Sequence, residues 1–390
     1  MASTSSAVIA GIGETPYVRG TQKTEGQLYV EAALLACRDA GIEPESIDGI
    51  LVPGFRGKVE DLINGLGARD VLWSERCEIG GAASAAAVAH AADLVNAGRA
   101  SRVVVSTVRL GYSGARVGAG GNDLLADFAR IFPSPLIRTS LEYPYGLMVP
   151  MQYYSLHANR WMHEYSIDPA ALAEVAMSMR RNAQKNAGAY MRGRALNRED
   201  YFGSPVLCSP LRFFDCCLET DGAAAVLVTA GDVAPRRDKQ VRIAAGGEGH
   251  PDSPDDIVGR PDTMQMGISK AAPRVFQQAG AGPEDMDFAE LYDCFTFIVL
   301  RHLEEMGFCG RGESPAFVAR KGIGIDGGLP VNTHGGLLSQ AHVAGMNHVV
   351  EAVKQLRGEA GEGQLARARY GVVTGYGDFG DGSMLVLTNQ

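Results

Sequence analysis

The sequence predicts an α/β fold made of two similar halves, and three observations support this. In the N-terminal part, apolar strand-like runs alternate with helix-like runs: Val8-Ile9-Ala10-Gly11-Ile12-Gly13, a helix over 26–40, Gly49-Ile50-Leu51-Val52, a helix over 82–97, and Val103-Val104-Val105-Ser106-Thr107. Strand and helix in alternation imply a parallel sheet with helices packed against it. The pattern then recurs, because Ala40-Gly41-x-x-Pro44-Glu45-x-Ile47-Asp48 is echoed by Ala279-Gly280-x-x-Pro283-Glu284-x-Met286-Asp287, each followed by an apolar run. Lastly, Val241-Arg242-Ile243-Ala244-Ala245-Gly246 resembles the first strand, and Gly335-Gly336, a helix and Val372-Val373-Thr374 parallel Gly80-Gly81, its helix and Val103-Val104-Val105. Such a repeat places the expected site at the interface of the halves.

In chain order, the first helix carries Leu28, Val30, Ala33, Leu34 and Cys37 at helical spacing and stops at Gly41. The alanine-rich second helix stops at Gly98. Residues of about 112–218 differ in character, with clustered aromatics (Tyr143, Tyr145, Tyr153, Tyr154, Trp161, Tyr165), several prolines and an amphipathic pattern over 170–187. They read as a helical insertion over the core. The apolar run 221–229 returns to a buried strand, and 230–240, with Pro235 and several charges, reads as a connector. The expected division is therefore 1–235, including the insertion, and 236–390.

Composition excludes several functions. A net charge of −9 over 390 residues gives no long-range attraction for nucleic acid or an anionic membrane. The first residues lack a basic n-region, and no apolar run is long enough to span a bilayer, so a cytoplasmic protein is expected. Seven cysteines without a CxxC pair indicate neither a disulfide framework nor a zinc site, so no metal and no tightly bound cofactor is expected in this chain.

Chemistry is expected in the glycine-rich stretch 331–348, which runs into a helix over 349–357. Backbone N–H groups of Gly335 and Gly336 can face a ligand there, and His342 is a candidate proton carrier or hydrogen-bond donor; a tight turn with core histidines is the plainer reading. Tyr292, in Glu290-Leu291-Tyr292-Asp293-Cys294-Phe295, follows a predicted strand, where α/β folds often contact ligands. Cys77 precedes the second helix, whose dipole would favour a thiolate, but its neighbour Glu78 opposes ionisation, so a buried structural cysteine is the favoured reading and a nucleophile the alternative. The loop Gly375-Tyr376-Gly377-Asp378-Phe379-Gly380-Asp381-Gly382 reads as a hairpin, with Tyr376 a weaker candidate. Arg180, Arg181, Lys185, Arg192 and Arg194 are candidates to clamp ligand phosphates, or else line a solvated helix face.

These residues together carry a resemblance. Asp221-Gly222-Ala223-Ala224, Tyr292-Asp293-Cys294-Phe295, Gly335-Gly336 through His342 and the terminal glycine loop resemble the thiolase superfamily. The nearest types are the sterol-carrier-protein-x thiolases and the thiolase-like aldolases that shorten steroid side chains. The resemblance implies a five-layered αβαβα fold in a homodimer, and an acyl-CoA substrate whose pantetheine reaches a site between the halves, with Gly80, Gly81, Gly335 and Gly336 lining it. It also implies a small zinc-ribbon and OB-fold partner protein, since this chain carries no zinc ribbon.

The departures from the family point to the reaction. A thiolase needs a nucleophilic cysteine at the start of the second helix. Registering that helix by its end at Gly98 places Gly81 there, whereas a Cys-x-x-Gly register selects Cys77. The second family cysteine falls on Tyr376. With both missing, the resemblance implies a lyase that cleaves a β-hydroxyacyl-CoA by retro-aldol reaction, which needs a base, enolate donors and an acid but no covalent intermediate. Tyr292 is then the proton-transfer group, His342 its partner or an enolate donor, and Tyr376 a third candidate; the steroid side-chain aldolases carry a tyrosine at the position of His342. A β-ketoacyl-CoA thiolase using Cys77 and a non-catalytic scaffold subunit are the alternatives.

Overall fold

The computed structural model describes residues 6–54, 57–114, 138–253, 260–377 and 380–390. Part of the expected insertion (115–137) and two residues of the terminal glycine loop (378–379), with Met1 to Ser5, lie outside the described residues. The strands are β1 (Ala7–Glu14), β2 (Gly49–Pro53), β3 (Trp73–Cys77), β4 (Arg102–Leu110), β5 (Val206–Cys208), β6 (Leu211–Arg212), β7 (Asp221–Ala230), β8 (Val241–Gly249), β9 (Phe288–Glu290), β10 (Tyr370–Gly377) and β11 (Asp381–Thr388). The helices are α1 (Glu25–Ala40), α2 (Val59–Leu66), α3 (Ala83–Asn96), α4 (Pro150–Tyr165), α5 (Ala170–Gln184), α6 (Arg198–Gly203), α7 (Ile268–Ala279), α8 (Thr296–Glu305), α9 (Ser314–Lys321), α10 (Gly336–Ser339) and α11 (Met346–Arg357).

Nine strands pair in the order β3-β2-β4-β7-β1-β8-β11-β10-β9. β1 pairs antiparallel with β7, and β7 antiparallel with β4, so β1, β2, β3 and β4 run one way with β7 inserted against them. The other half repeats this: β9 and β10 are parallel, β11 lies antiparallel between β10 and β8, and Ala289 bridges Val331 in parallel where β2 pairs with β3. The antiparallel strands β7 and β11 are what the parallel-sheet expectation lacked.

Helix layers follow from side-chain size. α1 begins at a capping box, in which Thr24 Oγ1 accepts from the Gln27 amide (3.2 Å) and Gln27 Oε1 from the Thr24 amide (2.9 Å), and it ends at Gly41 with φ 69°. It lies flush on β1, because a Cβ on Gly11 or Gly13 would overlap the carbonyl oxygens of Ala36 or Ala32. α1 and α2 form one core with the outer face of the first half. α3 is apolar nearly all round, the pattern of a helix enclosed on every side. With α11 it packs against strands of both halves. α7 and α8 cover the far face of the second half, giving the five layers that the resemblance implied. The helices α4 and α5, which precede β7 in the chain, contribute Trp161, Leu172 and Val175 to that far core, so the insertion of the first half lies over the second. Among the described residues, no helix is long and apolar enough to cross a membrane.

Candidate active site

The site forms where β9 ends. Residues 291–295 continue past the strand and are held by side chains from elsewhere. Asn332 Oδ1 accepts from the Leu291 amide (2.6 Å) and its Nδ2 donates to the Leu291 carbonyl (2.8 Å), while Thr374 Oγ1 accepts from the Tyr292 amide (3.0 Å). Asp293 accepts from the amides of Leu337 (2.7 Å) and Leu338 (3.3 Å), and Thr220 Oγ1 accepts from the His342 amide (3.0 Å). This buried strand end therefore has its backbone groups satisfied while the Tyr292 side chain is turned toward His342.

Tyr292 Oη lies 3.3 Å from His342 Nε2, and His342 Nδ1 lies 3.5 Å from Cys217 Sγ. The imidazole of His342 is held neutral: burial, reinforced by Arg109 and His348, pushes it well below the usual range. A neutral ring has one donor and one acceptor nitrogen, so it can take a proton on one side while giving one on the other. The structure thus joins Tyr292 and His342, two of the residues selected from the sequence.

Gly81 closes the other side. A Cβ at this position would overlap Tyr292 Oη and Cζ and the carbonyl oxygen of Tyr376, so the phenol occupies the space that a nucleophilic side chain on residue 81 would need. Gly80 opens the 3₁₀ turn Gly80–Ala82 that leads into α3. Cys77 does not open a helix; it ends β3, opposite Pro53 of β2. Burial, then Glu248 and Glu75, pushes its thiol up to about 12, the reverse of the activation expected at a helix start. Cys77→Ala is therefore expected to leave the turnover rate unchanged, checked by steady-state kinetics.

Other expected binding residues are engaged within the fold. The amides of Leu337 and Leu338, which follow Gly335 and Gly336 in the first turn of α10, face the Asp293 carboxylate. Arg180 is buried and donates to Ser339 Oγ (2.9 Å) and the Arg194 carbonyl (3.1 Å), tying α5 to α10. Arg181 pairs with Glu174 (2.8 Å), Lys185 with Asp326 (3.3 Å) and Arg192 with Glu362 (2.9 Å). Tyr376 is buried beside Tyr154 and His302, and its hydroxyl has no hydrogen-bond partner among the described residues. The structure does not bring it into the Tyr292–His342 contact.

Behind Tyr292 lies a fully buried ionic group that single residues in the sequence did not signal. His334 Nδ1 is 2.9 Å from Glu290 Oε2; His348 Nε2 is 3.2 Å from Asp293 Oδ1, and its Nδ1 is 3.8 Å from Glu290 Oε2. Thr333 Oγ1 lies 2.8 Å from Glu290 Oε1 and 2.7 Å from Glu351 Oε1. One hydroxyl proton serves one carboxylate, which fits burial holding Glu351 above the usual carboxylate range. Burial would also raise Glu290, but His334 and His348 outweigh it and bring it down to about 2. Burial would lower His348, yet Asp293 and Glu290 hold it up at about 9.

These shifts fix a stability profile. The raised imidazole contributes stability that is fully present below its unfolded value of about 6.5 and is lost as pH rises through about 9. The depressed carboxylate contributes stability present above about 4.5 and lost as pH falls toward 2. Urea unfolding is expected to show a decline between pH 6.5 and 9 that disappears in His348→Asn.

Known proteins with this architecture narrow the reading. Residues 249–389 match the family described as Thiolase C-terminal domain-like. Over 361 residues, 90% of this chain and 92% of the relative, the sequence is 35% identical to a 17-hydroxy-3-oxo-4-pregnene-20-carboxyl-CoA lyase of Mycobacterium tuberculosis. It is also 35% identical over 368 residues, 90% of each chain, to a steroid side-chain-cleaving aldolase of Thermomonospora curvata. The chain belongs to the thiolase-like aldolases. A solved Ltp2-ChsH2(DUF35) aldolase superposes with a TM-score of 0.88 at 31% identity, covering 100% of this thiolase-like aldolase and 99% of that chain. Within a thiolase-like aldolase, a phenol filling the space beside Gly81 is a reason for the fold to operate without an acyl-enzyme.

Proposed function

We propose that Tyr292 and His342 carry out the retro-aldol cleavage of a β-hydroxyacyl-CoA, giving a ketone or aldehyde and a shortened acyl-CoA. The chain is a carbon–carbon lyase of the aldolase type acting on an acyl-CoA, as its relatives are. The single observation that supports the assignment is the Tyr292 phenol, which takes the space of a residue-81 side chain while contacting a neutral imidazole. Tyr292 passes its own proton to His342 and takes the β-hydroxyl proton, the Cα–Cβ pair moves onto the thioester as an enolate, and the proton held by His342 returns to Cα. A free phenol has a pKa near 10, so it needs a partner that accepts its own proton, and His342 Nε2 is placed for that.

The substrate is a bulky acyl-CoA with a tertiary β-hydroxyl, of the steroid type that the Mycobacterium tuberculosis and Thermomonospora curvata relatives are named for. A separate partner of the zinc-ribbon and OB-fold kind completes the acyl-CoA site. Support comes from the solved aldolase, whose description pairs Ltp2 with ChsH2(DUF35), and from the apolar side chains Leu141, Tyr145, Leu156 and Phe213 exposed on the insertion.

Incubation with such a β-hydroxyacyl-CoA, with and without free CoA, tests this. The ketone and the shortened acyl-CoA are expected by mass spectrometry without free CoA. A requirement for free CoA, with an acyl adduct on Cys77, would instead establish a thiolase. His342→Phe is expected to reduce kcat by roughly 10²-fold or more, as for loss of a proton-transfer partner, measured by ketone release.

A further inference from the structure

Tyr292 stands between two imidazoles whose surroundings are unlike. Its ring centroid is 6.3 Å from that of His342 and 6.3 Å from that of His348. The side-chain partners of His342 are both uncharged, a phenol and a thiol. His348 is fully buried with a carboxylate oxygen within ion-pair distance of each ring nitrogen, Asp293 Oδ1 3.2 Å from Nε2 and Glu290 Oε2 3.8 Å from Nδ1, although neither nitrogen makes a hydrogen bond among the described residues. Two carboxylates flanking one buried ring favour its charged form, so the imidazolium is the state that this arrangement stabilises.

His334 shows the contrast. One of its nitrogens faces Glu290 at 2.9 Å and the other faces the Asn347 amide at 3.4 Å, so a single proton suffices there. The ionisable groups facing His348 are Glu290 and Asp293 from the end of β9, Tyr292 between them, His334 with its ring 4.9 Å away, His342 across the tyrosine, and His302 of α8.

We infer that His348 is a positioning residue for the Tyr292–His342 pair: an imidazolium at neutral pH, flanked by Glu290 and Asp293, whose charge helps to keep His342 neutral. The inference rests on the aldolase reading of that pair. Two cations in one water-poor site repel, and the carboxylates settle which imidazole is charged, since they reach His348 and not His342. His342 is thereby free to accept the phenolic proton over a wider pH range. The shift of His342 to low pH, to which His348 contributes after burial and Arg109, agrees with this order.

The test is the pH profile of kcat/KM for His348→Asn, which cannot carry the charge. Its acid limb is expected to move upward by about one pH unit, so that below the limb the rate relative to plateau falls about tenfold against wild type. A purely structural defect would lower the plateau and leave the limb in place, and that result would overturn the inference. Because the variant itself can unfold, ring-nitrogen NMR of ¹⁵N-histidine-labelled wild-type protein supplies an independent reading. One histidine is expected to keep both nitrogens protonated from pH 6 to 8, with His348→Gln and His342→Gln used for assignment. A singly protonated His348 at pH 7 overturns the inference. So does one equivalent of divalent metal in the purified protein, since ligand atoms of Glu290, His334 and His348 lie within 4.8 Å of one another. Failure of the wild-type enzyme to cleave any β-hydroxyacyl-CoA would strike the aldolase reading alone, because the NMR result does not depend on turnover.

Discussion

Tyr292→Phe is expected to lower kcat for carbon–carbon cleavage by roughly 10²–10⁴-fold, the range for loss of a positioned proton-transfer group, with a much smaller effect on KM. The phenylalanine ring fills the same space between Gly81 and Gly345, and the Tyr292 amide keeps its bond to Thr374. Stability should therefore change little, and a thermal melt would separate lost chemistry from lost fold. The alkaline side of the pH profile should also change, because the phenol is removed from the pair. Cleavage at the wild-type rate would show that another group takes the β-hydroxyl proton.

Gly81→Ala is expected to have an effect of similar size by a different route. The new methyl has no space: the tyrosine must leave its contact with His342, or the backbone that carries Tyr376 must move. Overpacking of this kind costs roughly 1–3 kcal/mol, and loss of the Tyr292–His342 contact should reduce turnover about as far as Tyr292→Phe. Gly81→Cys should fail to produce a thiolase for the same reason. Kinetics together with the urea midpoint would check both statements. A Gly81→Ala enzyme with normal turnover would mean that the phenol does not work from the position seen here.

The sequence made some parts of this arrangement legible and left others hidden, for identifiable physical reasons. α1 was readable because its apolar positions follow the helical period and Gly41 ends it in a left-handed turn. The alanine-rich α3 was readable as a helix, and its small side chains make sense once strands surround it. β3 was not readable, because Trp73, Ser74, Glu75 and Arg76 of this edge strand remain partly or fully exposed and give no apolar signal. α8 was missed for the opposite reason. All ten of its residues are buried, with Arg301 satisfied internally by Glu304 and Glu305 at 2.6 Å each, so it has no polar face to reveal a period.

At the site, Tyr292 and His342 could be selected one at a time, but their contact joins residues 50 apart, and Cys217 meets His342 across 125. Local pattern cannot report such pairs. For the cationic cluster of the insertion, charge was visible in the sequence while partners within the fold were not: Arg180 reaches Ser339, and Arg181 and Lys185 each find a carboxylate. The reading of Cys77 as a buried structural cysteine holds, but its cause was only partly visible, because thiol acidity depends on burial and on Glu248 and Glu75, which surround it only after folding.

The path of the insertion has a consequence for how the chain loses its structure. Trp161, Leu172 and Val175 come from a segment that belongs in sequence to the first half, yet they pack with Phe297, Ile298 and Val372 of the second. α3 likewise shares its core with Val349 and Val353 of α11. The first half keeps one core of its own beneath α1 and α2, but the other two cores are shared across the division, so heating should give one cooperative transition instead of two, and a fragment holding only the part after β7 should remain unfolded until its complement is added.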